Sequence, residues 1–358
     1  MINLPRVFLL GLLALLVGCG EGGASGATPE EPLSTFFRPI PESPVYPDYN
    51  PYSAEKEALG ELLFWDPVLS GDMNVACASC HHPSHGWADG RRVSVGSDGV
   101  GLGPSRQGSQ LTAFNSPTVL NVAFAGMRVE DPEVDFIAGP FFWDARAPLL
   151  EDQAVEPIKS QVEMLGTNFQ PHEAMPLVIS RLQNIPEYVS LFDAAFAGPD
   201  AISEENIANA LATFQRKLIS RRTAFDRYLE GDTGALSDRE ITGLNKFVNG
   251  GCARCHQGVL LSDFTIHADQ PVLRGLPAVR TAPLRNASLN APFMHNGSRS
   301  SLRDAIEEYD DRDDLEVTFA DDDVGDVNAF LRILNNNNFY RTIPAQVPSG
   351  LPVGGDIN

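Results

Sequence analysis

Two short runs in this sequence combine residue types and spacing that bind a redox cofactor. They read Cys77-Ala78-Ser79-Cys80-His81 and Cys252-Ala253-Arg254-Cys255-His256. A Cys-x-x-Cys-His run is the attachment sequence of a c-type haem, whose vinyl groups react with the thiols while the histidine binds the iron. A split zinc site, a thioredoxin-like dithiol and chance are the alternatives. Paired zinc motifs are usually separated by about 15–20 residues, whereas most of a domain separates these two, so the sequence favours two covalent haems.

Charge and cysteine usage narrow the class of protein further. The 358 residues include 26 Lys plus Arg against 47 Asp plus Glu, for a formal net charge of -21. So acidic a chain is a poor partner for nucleic acid or for an anionic membrane surface, and it suits a cationic protein partner or none. Four of the five cysteines lie in the two motifs. The fifth is Cys19, so no pair is left for a disulfide.

The N-terminus has the pattern of an export signal. Arg6 precedes an apolar run over 7–17, and Cys19 follows in a context that resembles a lipoprotein signal box. Because this run is shorter than the ~20 residues that cross a bilayer, it predicts a cleaved signal and not a membrane span. We expect a periplasmic or otherwise extracytoplasmic protein, tethered to a membrane by lipid on Cys19. An ordinary secretory signal, cut near Ala24 or Ala27, is the alternative.

Helix signals dominate the rest of the chain. The apolar residues at 58, 59, 62 and 63 share one helical face. Ser203 is a plausible N-cap, and Ser237 with Glu240 forms a capping box before a helix that leads directly into Cys252. Ser301 with Asp304 begins another helix, whereas the glycine-rich stretch 91–115 predicts a long loop.

These signals predict a mainly α fold with two cytochrome c-like haem domains and long loops. The sequence indicates a signal peptide over 1–18 and a flexible linker over 19–40. An N-terminal haem domain is expected over 41–215, a C-terminal haem domain over 216–345, and a tail over 346–358.

Several further motifs, taken together, resemble one family. They are Asn115-Ser116-Pro117-Thr118-Val119-Leu120-Asn121, Phe142-Trp143-Asp144-Ala145-Arg146-Ala147, Gln153, Val162-Glu163-Met164, Pro283-Leu284-Arg285-Asn286 and Pro292-Phe293-Met294-His295-Asn296-Gly297. In this order and spacing they resemble the bacterial di-haem cytochrome c peroxidase and MauG family, from about residue 54 to residue 310. The resemblance implies that His81 and His256 bind the irons of the N-terminal and C-terminal haems.

The same resemblance implies roles around the N-terminal haem. Trp143 matches a tryptophan that relays electrons between the haems, and a buried core aromatic is the simpler alternative. Glu163 matches the carboxylate on the peroxide side, where it would move a proton between the two peroxide oxygens; a solvated surface acid is the alternative. Gln153 and Pro157 match neighbouring positions of that pocket.

A calcium ion between the domains is also implied by the resemblance. Asn115, with the backbone carbonyls of Asn290 and Pro292, matches the family's site. Ligands that are all oxygen suit a hard cation of this kind.

Two positions depart from the peroxidase pattern. Where peroxidases carry a second histidine for the N-terminal haem, this chain has Ser97, which implies an iron with a free sixth position. Where they carry a methionine for the C-terminal haem, this chain has Tyr309, as the MauG branch does. Met294 is the competing ligand. The simpler alternative for Tyr309 is a core tyrosine that binds no metal.

The favoured function is a di-haem peroxidase that reduces hydrogen peroxide at the N-terminal haem. Oxidising equivalents would pass through Trp143 and the C-terminal haem to a small redox protein, a cytochrome c or a cupredoxin. MauG-like oxidation of a residue in a partner protein is one alternative. A di-haem electron-transfer protein without catalysis is another. Dimers are common in the resembling family, so a homodimer is a further expectation.

Overall fold

The computed structural model describes residues 32–127, 139–268, 276–310, 317 and 323–357. Within these ranges the regular elements are α-helices with short single turns, and strand pairing is limited to isolated bridges. The helices are α1 Ala54–Trp65, α2 Leu150–Lys159, α3 Ala174–Gln183, α4 Pro186–Ala195, α5 Glu204–Lys217, α6 Ala224–Leu229, α7 Asp238–Asn249, α8 Leu302–Asp310 and α9 Asp323–Arg332. The expectation of a mainly α fold is confirmed.

Three helices begin at the capping residues that the sequence predicts. The hydroxyl of Ser203 accepts from the backbone of Asn206 at the start of α5. Ser237 and Glu240 form the expected capping box of α7, which ends at Asn249 just before the second motif. Ser301 and Asp304 bond each other's backbone amides at the start of α8. Local hydrogen bonds of this kind satisfy the free N–H groups of a first turn, which is why sequence alone locates them.

Each half of the chain is built on one close helix crossing. Gly60 of α1 lies where an added Cβ would overlap the carbonyl oxygen of Ala210 on α5. In the second half Gly243 of α7 is placed in the same way against the carbonyl oxygen of Asp326 on α9. A side chain at either position would force the helices apart, so glycine is required at both crossings.

The apolar side chains of the described residues form three clusters. One surrounds α1 and α5 and includes Trp65, Trp87 and Phe214; another surrounds α7 and α9 and includes Phe330. A smaller third cluster joins residues from both halves, among them Phe124 and Leu260. The two halves of the chain are therefore packed against each other through this cluster.

The two ends of the described chain cross over to the opposite halves. Phe37, only 1% exposed, packs into the second-half cluster, and the carbonyl of Phe36 accepts from Gly258. The described end of the predicted linker, 32–40, is therefore part of the folded structure. At the other end, Phe339 and Val347 pack into the first-half cluster. The proposed domain limits do not follow this exchange of chain ends, and they remain a prediction.

No helix in the described part of the chain is long and apolar enough to cross a membrane. The predicted signal peptide and Cys19 lie outside the described residues, as do 128–138.

Candidate functional site

The first motif ends in a histidine whose ring is oriented by the backbone. Nδ1 of His81 lies 3.2 Å from the carbonyl oxygen of Trp87 and 3.4 Å from the hydroxyl of Ser116. A bond from Nδ1 to a carbonyl fixes the proton on that nitrogen and leaves Nε2 free as a ligand. Burial lowers the pKa of His81 to about 4, which keeps the imidazole in the neutral form that binds metals.

The second motif repeats this arrangement beside a large cavity. Nδ1 of His256 lies 3.1 Å from the carbonyl oxygen of Leu261, so its Nε2 is likewise free. A cavity of about 470 Å³ opens beside this ring, and Cys252, Cys255, Tyr309 and Met294 also line it. The thiols, the imidazole and an apolar wall thus surround one space, which is the environment that a covalent haem requires.

Tyr309 lies next to His256 in the wall of this cavity. Their ring centroids are 6.4 Å apart, and the ring planes meet at 71°. Burial raises the pKa of the Tyr309 phenol, so without a metal it would stay protonated. The structure thus brings one of the two predicted ligands of the second haem close to the histidine. Met294 also borders the cavity, in a turn where its φ is +68°.

The four motif cysteines do not form a shared zinc site. In the ranges that the structure covers, the one group of side chains arranged as metal ligands is Cys255 with Asp263 and His267. It includes neither Cys77 nor Cys80, so the two pairs stay apart. The thiol of Cys255 would be consumed by haem attachment, which leaves only the His267 to Asp263 ion pair at 2.8 Å.

Glu163 and Asp89 are two buried carboxylates whose charges act on Cys80 of the first motif. Glu163 lies in a π-helical turn, Gln161–Leu165, and its Oε2 is buried with no hydrogen-bond partner among the described residues. Burial raises the pKa of Glu163, while Arg146 partly opposes the rise. Burial also raises the pKa of Cys80 to about 12, and the charges of Asp89 and Glu163 add to that rise. Glu163 is therefore no solvated surface acid, and its buried, unpartnered oxygen suits a pocket that a haem would complete.

Gln153 and Pro157 occupy one face of the neighbouring helix α2. They are four residues apart, so their side chains lie on the same side of the helix, and both are half-buried. α2 leads through Ser160 into the π-helical turn of Glu163, and the Ser160 hydroxyl accepts from the Glu163 amide. The three predicted pocket residues thus belong to one continuous segment.

The glycine-rich loop that contains Ser97 is closed against this turn. The Ser97 amide donates to the carbonyl of Val162 at 2.9 Å, and its hydroxyl donates to the carbonyl of Gln161 at 3.1 Å. Arg106, 1% exposed, holds the same loop by donating to the carbonyls of Val95, Gly96 and Gly101. The sequence analysis had no role for Arg106, because these partners are backbone atoms that leave no pattern in the sequence.

Trp143 is tied to both motifs. Its ring borders the cavity of the second motif, and its indole N–H donates to the carbonyl of Asn115 at 2.8 Å. The next residue, Ser116, donates to the carbonyl of Cys80 in the first motif. A short hydrogen-bonded path therefore runs from Trp143 through Asn115 and Ser116 to His81. This contact of Ser116 with the first motif could not be predicted from the sequence.

Asn115 also meets one of its expected calcium partners. Its amide nitrogen lies 2.7 Å from the carbonyl oxygen of Arg91 and 3.4 Å from that of Pro292. The two ends of an amide are nearly isosteric, and a half-turn would direct the Asn115 oxygen toward these carbonyls. Asn290 borders the same cavity, and its Oδ1 is buried without a partner within the described ranges. Oxygen ligands of this kind would suit a hard cation, and the calcium site stays a prediction.

Comparison with known proteins gives a consistent result. Residues 54–234 match the sequence model of the di-haem cytochrome c peroxidase family. The chain is 36% identical to the methylamine utilization protein MauG of Methylorubrum extorquens, over 84% of this chain and 81% of that one. It is 34% identical to the cytochrome c551 peroxidase of Pseudomonas aeruginosa, over 94% of this chain and 96% of that one.

Solved structures share the fold. A MauG-like protein associated with microbial copper homeostasis superposes with a TM-score of 0.65 at 24% identity, over 83% of this chain and 95% of that one. The diheme peroxidase BthA of Burkholderia thailandensis superposes with a TM-score of 0.61 at 20% identity, over 89% of this chain and 99% of that one.

Proposed function

Because the chain belongs to the di-haem cytochrome c peroxidase family, we propose that it reduces hydrogen peroxide at a haem held by Cys77, Cys80 and His81. It is an oxidoreductase of the peroxidase type, and its family carries two c-type haems. The second haem would be held by Cys252, Cys255 and His256. When bound, the haems would supply the electrons that cleave the O–O bond, and they would store the resulting oxidising equivalents.

The observation that carries this proposal is the buried, unpartnered Oε2 of Glu163, in a turn that is hydrogen-bonded to the loop next to Cys80. A carboxylate in that place can take a proton from one peroxide oxygen and return it to the other. Its raised pKa makes it a stronger base than an ordinary glutamate, and therefore a better proton acceptor near neutral pH. Gln153 would hydrogen-bond the peroxide, and Pro157 would pack against the open side of the pocket.

The loop of Ser97 supports direct reaction with peroxide. Its hydroxyl is committed to the carbonyl of Gln161, and no histidine stands where a sixth ligand of the first haem would come from. Peroxide would then find a free position in the fully oxidised protein, without prior reduction.

Tyr309 supports a MauG-like second haem. Its ring is in edge-to-face contact with His256 in the cavity wall, whereas Met294 borders the cavity from a neighbouring turn. We propose that Tyr309 would be the second protein ligand of this haem, with Met294 as the alternative. A phenolate ligand favours the oxidised metal, because its negative charge stabilises the higher positive charge.

Trp143 would carry electrons between the haems, supported by its bonded path to His81 and its position on the cavity. The final exchange would be with a small cytochrome c or cupredoxin, or with an oxidisable residue of a protein substrate. Ser97 and Tyr309, which both depart from the peroxidase pattern, favour the second outcome. We propose that the protein lies outside the cytoplasm and is anchored by lipid on Cys19. It would bind calcium at Asn115, Asn290 and Pro292. Its assembly would be a homodimer.

Peroxide consumption by the oxidised holoprotein tests this function. The wild type should consume peroxide at once, and Glu163→Gln should consume it at least tenfold more slowly, within the ~10²–10⁴-fold range of general acid–base catalysis. Glu156→Gln is the matched control, since that carboxylate is 42% exposed and pairs with Lys159. Equal rates for Glu163→Gln and wild type would contradict the role of Glu163. No consumption by any form would favour the non-catalytic electron-transfer protein.

A further inference from the structure

A second connected path leaves the first motif through Trp87. It begins at the carbonyl of Trp87, which lies 3.2 Å from Nδ1 of His81. The Trp87 side chain is fully buried, and its indole N–H donates to the carbonyl of Tyr340 at 2.9 Å. His81 is thus joined to Tyr340 by two hydrogen bonds that both involve Trp87.

The rings along this path are in contact. Phe214 lies 6.2 Å from Trp87 and 6.3 Å from Tyr340 between ring centroids, and both pairs have an edge-to-face arrangement. These separations are within the range of directly packed aromatic rings. Phe214 and Trp87 are both 0% exposed, so the path is dry until it reaches the half-buried Tyr340.

Tyr340 has the surroundings of a tyrosine that can be oxidised. Its hydroxyl donates to Oε1 of Glu61 at 2.7 Å. The Lys217 ammonium lies 4.2 Å from the ring centroid and opposes any positive charge that stays on the ring. Loss of an electron from Tyr340 therefore requires loss of the phenolic proton, and the Glu61 carboxylate is in position to accept it.

Other aromatic residues near the first motif lack one part of this arrangement. The ring of Trp65 lies 6.4 Å from Trp87, but its indole nitrogen is buried without an acceptor in the part of the chain described. Tyr188 donates to Asp66 at 2.7 Å, but both residues are 0% exposed and no external reductant could reach them. Tyr340 alone in this comparison combines a proton acceptor with access to solvent.

We propose that Tyr340 is a redox-active tyrosine. It would take up oxidising equivalents from the first haem site when no donor protein or protein substrate consumes them by way of Trp143. The inference rests on the proposed function, which supplies hydrogen peroxide as the oxidant. One electron passes from Tyr340 through Phe214 and Trp87 and reduces one peroxide-derived oxidising equivalent at the haem. The phenolic O–H bond breaks, and its proton moves to Glu61.

The neutral tyrosyl radical that results lies at the surface. A small phenolic or enediol reductant, which gives one electron and one proton, would restore the tyrosine. Such an exit protects the buried aromatic core from oxidation whenever no donor protein is bound. Trp87 and Phe214 act as positioning and relay residues, while Tyr340 and Glu61 carry the chemistry.

Radical detection in the peroxide-treated holoprotein tests this inference. The oxidised protein is mixed with a small excess of hydrogen peroxide without any donor, frozen within seconds and examined by EPR. A second sample reacts with a nitroso spin trap and is mapped by peptide mass spectrometry. We expect a tyrosyl signal and a trap adduct on Tyr340 in the wild type, with both lost in Tyr340→Phe. Glu61→Gln keeps a hydrogen-bond acceptor but cannot take the proton, so it should weaken the signal.

Two controls separate this path from general radical damage. Tyr52→Phe changes a tyrosine that is 52% exposed and lies outside the path, and Tyr188→Phe changes the buried tyrosine that also has a carboxylate partner. Both should retain the wild-type signal. Normal peroxide consumption with an unchanged signal in Tyr340→Phe would overturn the inference and leave the proposed function standing. If no form consumes peroxide, the proposed function fails and the inference fails with it.

Discussion

The hydroxyl of Ser97 donates a hydrogen bond to the carbonyl of Gln161, two residues before Glu163. The amide of Ser97 adds a second bond, to the carbonyl of Val162. The residue that replaces the expected histidine is therefore part of the structure that holds the proposed proton-transfer group. Its loop is fixed from the other side by Arg106. The loop is therefore held on both sides by hydrogen bonds.

Ser97→His should convert the reaction into one that needs prior reduction. The new imidazole would stand where a sixth ligand could reach the first haem, and it would compete with peroxide. We expect the oxidised Ser97→His protein to react with peroxide more slowly than wild type, in stopped-flow measurements, and to recover after one electron is added. Ser97→Ala removes the bond to Gln161 without adding a ligand and should still react directly. Equal rates for Ser97→His and wild type would show that position 97 does not control the sixth site.

The peroxide reaction should lose rate in acid because Glu163 acts as a base. Burial raises the pKa of this carboxyl, so protonation should set in above the ~4.3 of an ordinary glutamate. Below that inflection the group cannot accept a proton, and kcat/KM should fall as pH falls. Glu163→Gln should abolish the inflection. Glu156→Gln, which removes a nearby like charge, should move the inflection slightly to lower pH, and a profile unchanged in Glu163→Gln would assign the inflection elsewhere.

Much of this architecture was readable from local sequence. Ser203, Ser237 and Ser301 begin their helices as predicted, because a cap bonds the backbone a few residues away. These features depend on short-range chemistry or on spacing along the chain.

Contacts between distant segments could not be read in this way. The packing of Phe37 on the second half and of Val347 on the first depends on tertiary structure, and an apolar residue fits either core. The bonds of Ser97 to 161–162 and of Trp87 to Tyr340 end on backbone carbonyl oxygens, which every residue type has. Only the folded chain reveals them.

Tyr309→Met should raise the reduction potential of the second haem. A thioether ligand lacks the negative charge of a phenolate, and methionine ligation favours the reduced metal. A spectroelectrochemical titration of the holoprotein should show the higher potential and a changed visible spectrum. Met294→Leu is the matched control and should change neither property. If Met294→Leu altered the spectrum and Tyr309→Met changed neither the spectrum nor the potential, Met294 would be identified as the ligand.

Glu151→Gln should destabilise the first half of the protein strongly. Glu151 and Arg216 are both less than 10% exposed and pair at 2.6 Å, and Asn50 also donates to the carboxylate. Removing one partner of a buried ion pair costs about 3–5 kcal/mol. Denaturant unfolding of the holoprotein should show this loss. Asp193→Asn, an exposed change on α4, should leave the unfolding free energy nearly unaltered.

The same pair should make stability depend on pH. Burial alone would raise the pKa of Glu151, but the hydrogen bonds and charge of Arg216 outweigh it, so the folded pKa is lowered. The stabilisation is therefore present above the unfolded pKa of about 4.3 and is lost as pH falls through the folded value. The difference between wild type and Glu151→Gln should shrink in that acidic range. A difference that stays constant with pH would mean that the pair is not ionised in the native protein.

The most direct test of the central claim is low-temperature EPR of the fully oxidised holoprotein, before and after one equivalent of hydrogen peroxide. A free sixth position at the haem of His81 and a ligated haem at His256 predict one high-spin and one low-spin signal. The high-spin signal should disappear when peroxide is added without reductant. Two low-spin signals that peroxide leaves unchanged until one electron is supplied would contradict the account. Some residue of the protein would then occupy the sixth position of the first haem.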